Sequence, residues 1–113
     1  MIVADETLAF KVIKESIREL LPESSILLFG SRARHDHTDD SDYDLMIITK
    51  DFHDIKQVRL FKSIIRKKLA HNDIPADIII QSISEVESNK KITGHIVRQV
   101  LKEGIPLSTN YTN

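Results

Sequence analysis

Residues 35–44 read HDHTDDSDYD, five aspartates in ten positions with no lysine or arginine among them. Asp42 and Asp44 stand two apart where this segment enters the apolar run LMII. Side chains alternate faces along a strand, so both carboxylates point the same way, with Cα atoms roughly 6–7 Å apart. Two carboxylates on one face repel each other and call for a neutralising cation. Hard oxygen donors of this kind suit Mg²⁺ or Mn²⁺. Asp77 is placed alike, directly before the run III. If its strand lies beside that of Asp42 and Asp44, three carboxylates converge. Such a set can hold two divalent ions about 3.5–4 Å apart, the arrangement used for phosphoryl and nucleotidyl transfer. A calcium loop beginning at Asp40 is excluded, because Leu45 stands where glycine is needed and Asp51 where a glutamate is needed. Asp36, Asp39 and Asp40 read as a solvated loop.

A second feature precedes the first at a fixed distance. Gly30 and Ser31 end the apolar run SILLF. Glycine permits a tight turn and close approach of a phosphate. The serine hydroxyl and neighbouring backbone amides can bind phosphate oxygens, especially if a helical turn starts there. Arg32 and Arg34 supply guanidinium groups suited to phosphate, although Arg34 is equally suited to a structural ion pair. The segment is not a P-loop, since G-x-x-x-x-G-K is absent. Taken alone it reads as a plain turn.

The elements that must position these residues follow from apolar periodicity. Leu8, Val12, Ile13, Ile17, Leu20 and Leu21 mark a first helix, with Asp5 as N-cap and Pro22 as its stop. Residues 25–29, 43–49 and 76–81 read as buried strands. Val58, Phe61, Ile64, Ile65 and Leu69 mark a helix from about Asp54 to Ala70. A short helix follows Ser84. Ile92, Ile96, Val97, Val100 and Leu101 give a last helix ended by Gly104. The tail starts as a short strand and then frays. The expected order is α-β-β-α-β-α, an α/β or α+β layered fold. Its core is Ile26, Leu28, Leu45, Ile47, Ile78 and Ile80, packed on the helix stripes.

Composition bounds the function. At 113 residues the chain reads as one domain, spanning 1–113 with 109–113 as the frayed tail. Cysteine is absent, which excludes a disulfide scaffold, a thiolate zinc site and a cysteine nucleophile, and fits a reducing cytoplasm. No apolar run approaches the ~20 residues of a membrane span. The N-terminus has no basic segment followed by an apolar one, so no signal peptide is expected. The net charge of −1 and the few aromatics disfavour direct nucleic-acid binding.

The string LFGSRARHDHTDDSDYDLMII, with ADIII following, resembles the nucleotidyltransferase superfamily related to DNA polymerase beta. The Gly-Ser-Arg-Ala-Arg form and the small size resemble its minimal nucleotidyltransferase (MNT) group. The resemblance runs from about residue 5 to 108. It implies the nucleotidyltransferase fold, a small mixed sheet flanked by helices. It implies that Asp42 and Asp44 coordinate two Mg²⁺ ions. Asp77 would complete the metal site and help activate the attacking hydroxyl. Gly30 and Ser31 would hold the β- and γ-phosphates of ATP, with Arg32 and Arg34 assisting. Many MNT proteins carry glycine directly after the second arginine, where His35 stands here. The loop is therefore expected to bend differently, with His35 and His37 either near the metals or simply exposed.

MNT proteins of this size are often paired with a helical HEPN protein as a toxin–antitoxin system. The resemblance implies an antitoxin that transfers AMP to a tyrosine of a HEPN toxin. A catalytically inactive antitoxin that masks its toxin, and a small-molecule adenylyltransferase with an acceptor pocket built in a homo-oligomer, are the competing readings. The chain leaves few residues for an acceptor site, which favours an acceptor supplied by a partner protein. Residues 56–68 carry six basic side chains and no acidic one. They read as a solvated helix face or as a surface for an acidic partner. Tyr43 is expected in the core and His95 on the surface or between helices.

Overall fold

The computed structural model describes residues 6–108. The elements are α1 (Glu6–Leu20), β1 (Ser25–Phe29), α2 (Gly30–Arg34), β2 (Tyr43–Thr49), α3 (Ile55–Ala70), β3 (Ala76–Ser82), α4 (Ile83–Asn89), α5 (Ile96–Glu103) and β4 (Ile105–Ser108). The four strands form one mixed sheet in the order β3-β2-β1-β4. β2 and β3 run parallel, while β1 is antiparallel to both β2 and β4. The parallel pair needs a crossover, and α3 supplies it.

Alternation along the strands builds two cores. Ile26, Leu28, Leu45, Ile47, Ile78 and Ile80 all face one side and pack with Ile13 and Ile17 of α1 and Ile65 and Leu69 of α3. The intervening residues Phe29, Met46 and Ile48 face the other side, against Val86 of α4 and Val97 and Val100 of α5. β2 is therefore buried on both faces over Leu45–Thr49, which explains its unbroken apolar sequence. Leu45 is fully buried in the centre of the first core. Leu45→Ala is expected to cost about 2–5 kcal/mol, read as a lowered urea midpoint at unchanged slope.

Capping explains several helix ends. α3 begins with a reciprocal box in which Asp54 accepts from the Gln57 amide and Gln57 accepts from the Asp54 amide. Ser82 and Glu85 repeat the device at α4, which therefore starts at Ile83, earlier than expected. α5 starts later than its apolar periodicity suggests. Gly94 takes φ +83°, and His95 caps the helix by accepting the Val97 amide on Nδ1. Ile92 thus lies outside the helix and exposed.

Gly104 does end α5, but in an extended conformation. Glycine is required there by contact, since a Cβ would lie 2.5 Å from the Val100 carbonyl oxygen. Three elements lie outside the expected six-element order. The short helix α4 and the edge strand β4 match the short helix expected after Ser84 and the short strand expected at the start of the tail, and α2 forms where the Gly-Ser segment read as a turn. Asp5 and residues 109–113 lie outside the described residues. No helix among the described residues is long and apolar enough to cross a membrane.

Candidate active site

The aspartates meet through strand register. In the parallel β2–β3 pair Asp44 lies directly opposite Asp77, at a strand spacing of about 4.8 Å. Asp42 lies two residues before Asp44, just ahead of the strand. Asp42 and Asp77 are exposed, and Asp44 is half-buried between them and β1. On its other side Asp44 pairs with Phe29, the residue before Gly30.

The electrostatics record this convergence. The Asp44 carboxyl is raised above its ordinary pKa, first by burial and then by the negative charges of Asp77 and Asp42, with Arg34 opposing the rise. The trio shares a neighbourhood without forming a closed cage: among the described residues no three His, Asp or Glu side chains form a ready-made metal cluster. The donor chemistry nevertheless fits a hard divalent cation. All three groups are carboxylates, and their mutual repulsion is what such a cation would relieve.

Gly30 closes the site from the β1 side. Its φ is +72°, and a Cβ built on it would stand 2.1 Å from Asp44 Oδ2. Glycine is thus demanded twice, by backbone conformation and by the carboxylate lying against it. Ser31, half-buried in the first turn of α2, follows at once. Gly30 and the carboxylates of Asp44 and Asp77 therefore occupy one end of the sheet, with the Asp42 charge within reach of Asp44 and Ser31 next in the chain to Gly30.

The two arginines separate. Arg34 is exposed, 3.2 Å from Asp36 and 3.5 Å from Glu103, and its charge reaches Asp44. Arg32, expected to assist with phosphate, is turned to the opposite face and is buried. Its guanidinium lies 3.9 Å over the Tyr43 ring. It donates to the Ser41 carbonyl at 3.1 Å and to the Thr38 and Asp39 carbonyls at 3.4 Å each. Tyr43 neighbours both Asp42 and Asp44 in the chain and faces the core, packed edge-on against Phe10. Arg32 therefore holds the acidic loop in place from beneath. Nothing in its residue type or spacing distinguished this role from phosphate binding. Arg32→Ala is expected to destabilise the fold by about 2–3 kcal/mol, with Arg32→Lys failing to restore it, as read by urea denaturation.

The histidines do not join the carboxylates. His35 takes the left-handed conformation, φ +63°, at the C-cap of α2, where its amide donates to the Ser31 carbonyl. A non-glycine residue is uncommon there, and histidine is one of the types enriched in that region. His37 turns toward α1, with Nε2 3.9 Å from Glu6. Its Nδ1 is buried and finds no hydrogen-bond partner among the described residues.

Residues 10–107 match the family model of the nucleotidyltransferase domain. Most of the chain is covered, and the protein belongs to that family. No curated protein matches the chain. Solved structures share the fold. One is a toxin–antitoxin structure with AMP-PNP, at TM-score 0.66 and 22% identity, covering 88% of this chain and 73% of that one. Another is a mutant of the toxin–antitoxin MntA-HpeT, at TM-score 0.63 and 20% identity, covering 88% and 72%. A third is a tri-AMPylated Shewanella oneidensis HEPN toxin in complex with MNT antitoxin, at TM-score 0.56 and 18% identity, covering 93% and 73%.

Proposed function

We propose that this nucleotidyltransferase is the antitoxin of a toxin–antitoxin pair and transfers AMP from ATP to a tyrosine hydroxyl of a HEPN-type partner. The observation that carries this reading is the register of Asp44 against Asp77, with Gly30 fitted onto the Asp44 carboxylate. The membership in the nucleotidyltransferase family and the likeness to antitoxin structures, one solved with AMP-PNP and one with an AMPylated toxin, support it.

In the proposed reaction the hydroxyl oxygen forms a bond to the α-phosphorus and the bond to pyrophosphate breaks. The hydroxyl proton leaves toward the carboxylate site. Asp42, Asp44 and Asp77 would hold two Mg²⁺ ions, which supply neutralisation of charge on the attacking and leaving oxygens. Gly30 admits the triphosphate close to the backbone, and Ser31 offers its hydroxyl to the β- and γ-phosphates. Arg34 adds positive charge at the rim. Arg32 acts on the reaction by positioning the acidic loop. His35 and His37 take no part.

The test is co-purification with a HEPN partner, incubation with ATP and Mg²⁺, and intact-mass measurement. A gain of one or more AMP units on the partner is expected, together with loss of its toxicity. Neutralisation without any mass gain, equal in Asp44→Asn, would replace this reading with steric masking. AMP appearing only on small-molecule acceptors would replace it with a small-molecule adenylyltransferase.

A further inference from the structure

The basic block of residues 56–68 lies on α3 and has no part in the carboxylate site. Its arrangement runs against helix stability. Lys56 and Arg59, Arg59 and Lys62, and Lys62 and Arg66 are like-charge neighbours at i,i+3 or i,i+4 spacing, which destabilises a helix. Lys56 also sits in the first turn, where the helix dipole is positive and the Asp54 cap is the acidic group that opposes it. Among the described residues only Lys68 of these six cations has an acidic partner, Glu19. Most of this charge is therefore left without an ion-pair partner among the described residues.

The same face presents apolar groups to solvent. Leu60 is 57% exposed and Ile55 65%, with Phe52 just before the helix also 65% exposed. Cations around aliphatic anchors suit a protein surface that is acidic with apolar positions between the charges. Nucleic acid bound through the cations alone would leave the exposed Leu60 and Ile55 unused.

The position is also suitable. β2 and β3 are parallel, so α3 runs back between them and ends at the sheet end where the carboxylates lie. The loop after α3 is tied to that end, since the Pro75 carbonyl accepts the Tyr43 amide at 2.8 Å, between Asp42 and Asp44. A partner laid along α3 reaches the rim of the site with one end.

We infer that the solvent face of α3, centred on Arg59, Leu60 and Arg66, docks the protein that presents the acceptor hydroxyl, and that this partner meets it with an acidic surface carrying apolar positions between its charges. The identity of the partner rests on the proposed function; the docking face rests on the charge and exposure of α3. Isothermal titration of the full chain against a HEPN partner, without ATP, tests it. Arg59→Glu/Arg66→Glu is expected to weaken binding about 10–100-fold and to flatten its salt dependence. Leu60→Ala, at an exposed position that cannot unfold the core, is expected to weaken it about tenfold. Arg59→Lys/Arg66→Lys retains binding, and ATP affinity is unchanged throughout.

Unchanged partner affinity in both the charge-reversal and Leu60→Ala variants overturns the docking face, even where AMP transfer proceeds. Tight binding of labelled single-stranded RNA that the charge reversal abolishes also overturns it, by assigning the face to nucleic acid. Because binding is read without ATP, wild-type protein that binds but transfers no AMP removes the enzymatic reading and leaves the docking face standing.

Discussion

Asp44→Asn is expected to lower AMP transfer by at least about a thousandfold and, at the same time, to make the metal-free protein more stable at neutral pH. The two effects share one cause. Asp44 is raised above its ordinary pKa by burial and by the charges of Asp77 and Asp42. A carboxyl with a raised folded-state pKa binds its proton more tightly in the folded protein than in the unfolded one. Its contribution to stability is therefore greatest when protonated and falls as pH rises through the folded-state value. At neutral pH the ionised group is a liability to the fold, and asparagine removes the charge while keeping the shape. In EDTA-containing buffer the melting temperature of Asp44→Asn should exceed that of the wild type at pH 7. The difference should close as pH falls below the Asp44 transition. Transfer measured with radiolabelled ATP reads the other half. A variant with near wild-type transfer would remove Asp44 from the chemistry, and one with a lowered melting temperature at pH 7 would refute the electrostatic account.

Gly30→Ala is expected to be nearly as damaging, for a steric reason. The new methyl would lie 2.1 Å from Asp44 Oδ2, and the φ of +72° is one that alanine adopts at a cost of about 1–2 kcal/mol. The helix and the carboxylate must move apart, and the backbone can no longer approach a phosphate as closely. A loss of transfer of about a hundredfold or more is expected, with a fall in stability of roughly 1–3 kcal/mol. The double variant Gly30→Ala/Asp44→Ala, which removes the carboxylate that the new methyl would strike, should show the coupling. With that carboxylate gone, the alanine at position 30 should cost little further activity, and a thermodynamic cycle on transfer rates measures it. Fully additive losses would show that Gly30 acts independently of the carboxylate.

Much of the site was legible because strands alternate faces and because aspartate, glycine and serine have few substitutes. The spacing of Asp42 and Asp44 put both on the face opposite Tyr43, which is buried in the core. The six core residues named from the strand pattern are all buried for the same reason. Helix boundaries were less legible. α5 begins only after Gly94 and His95 have shaped its start, and a histidine cap leaves no signal in apolar periodicity. α2 is a single short helix formed where glycine and two arginines read equally well as a turn.

The chain itself determined the candidate carboxylates, the glycine beside them, the two-sided core and the split of charge into an acidic loop and a basic helix. These are properties of residue type and local period. Tertiary structure decided which strands are neighbours and in what register, and so whether Asp77 meets Asp44 at all. It also decided between two arginines of identical chemistry. Arg32 is drawn under the loop by the Tyr43 ring and three carbonyls, while Arg34, two residues on, stays at the surface and feels the carboxylates. Long flexible side chains take their direction from partners distant in sequence, and only the folded chain brings those partners within reach.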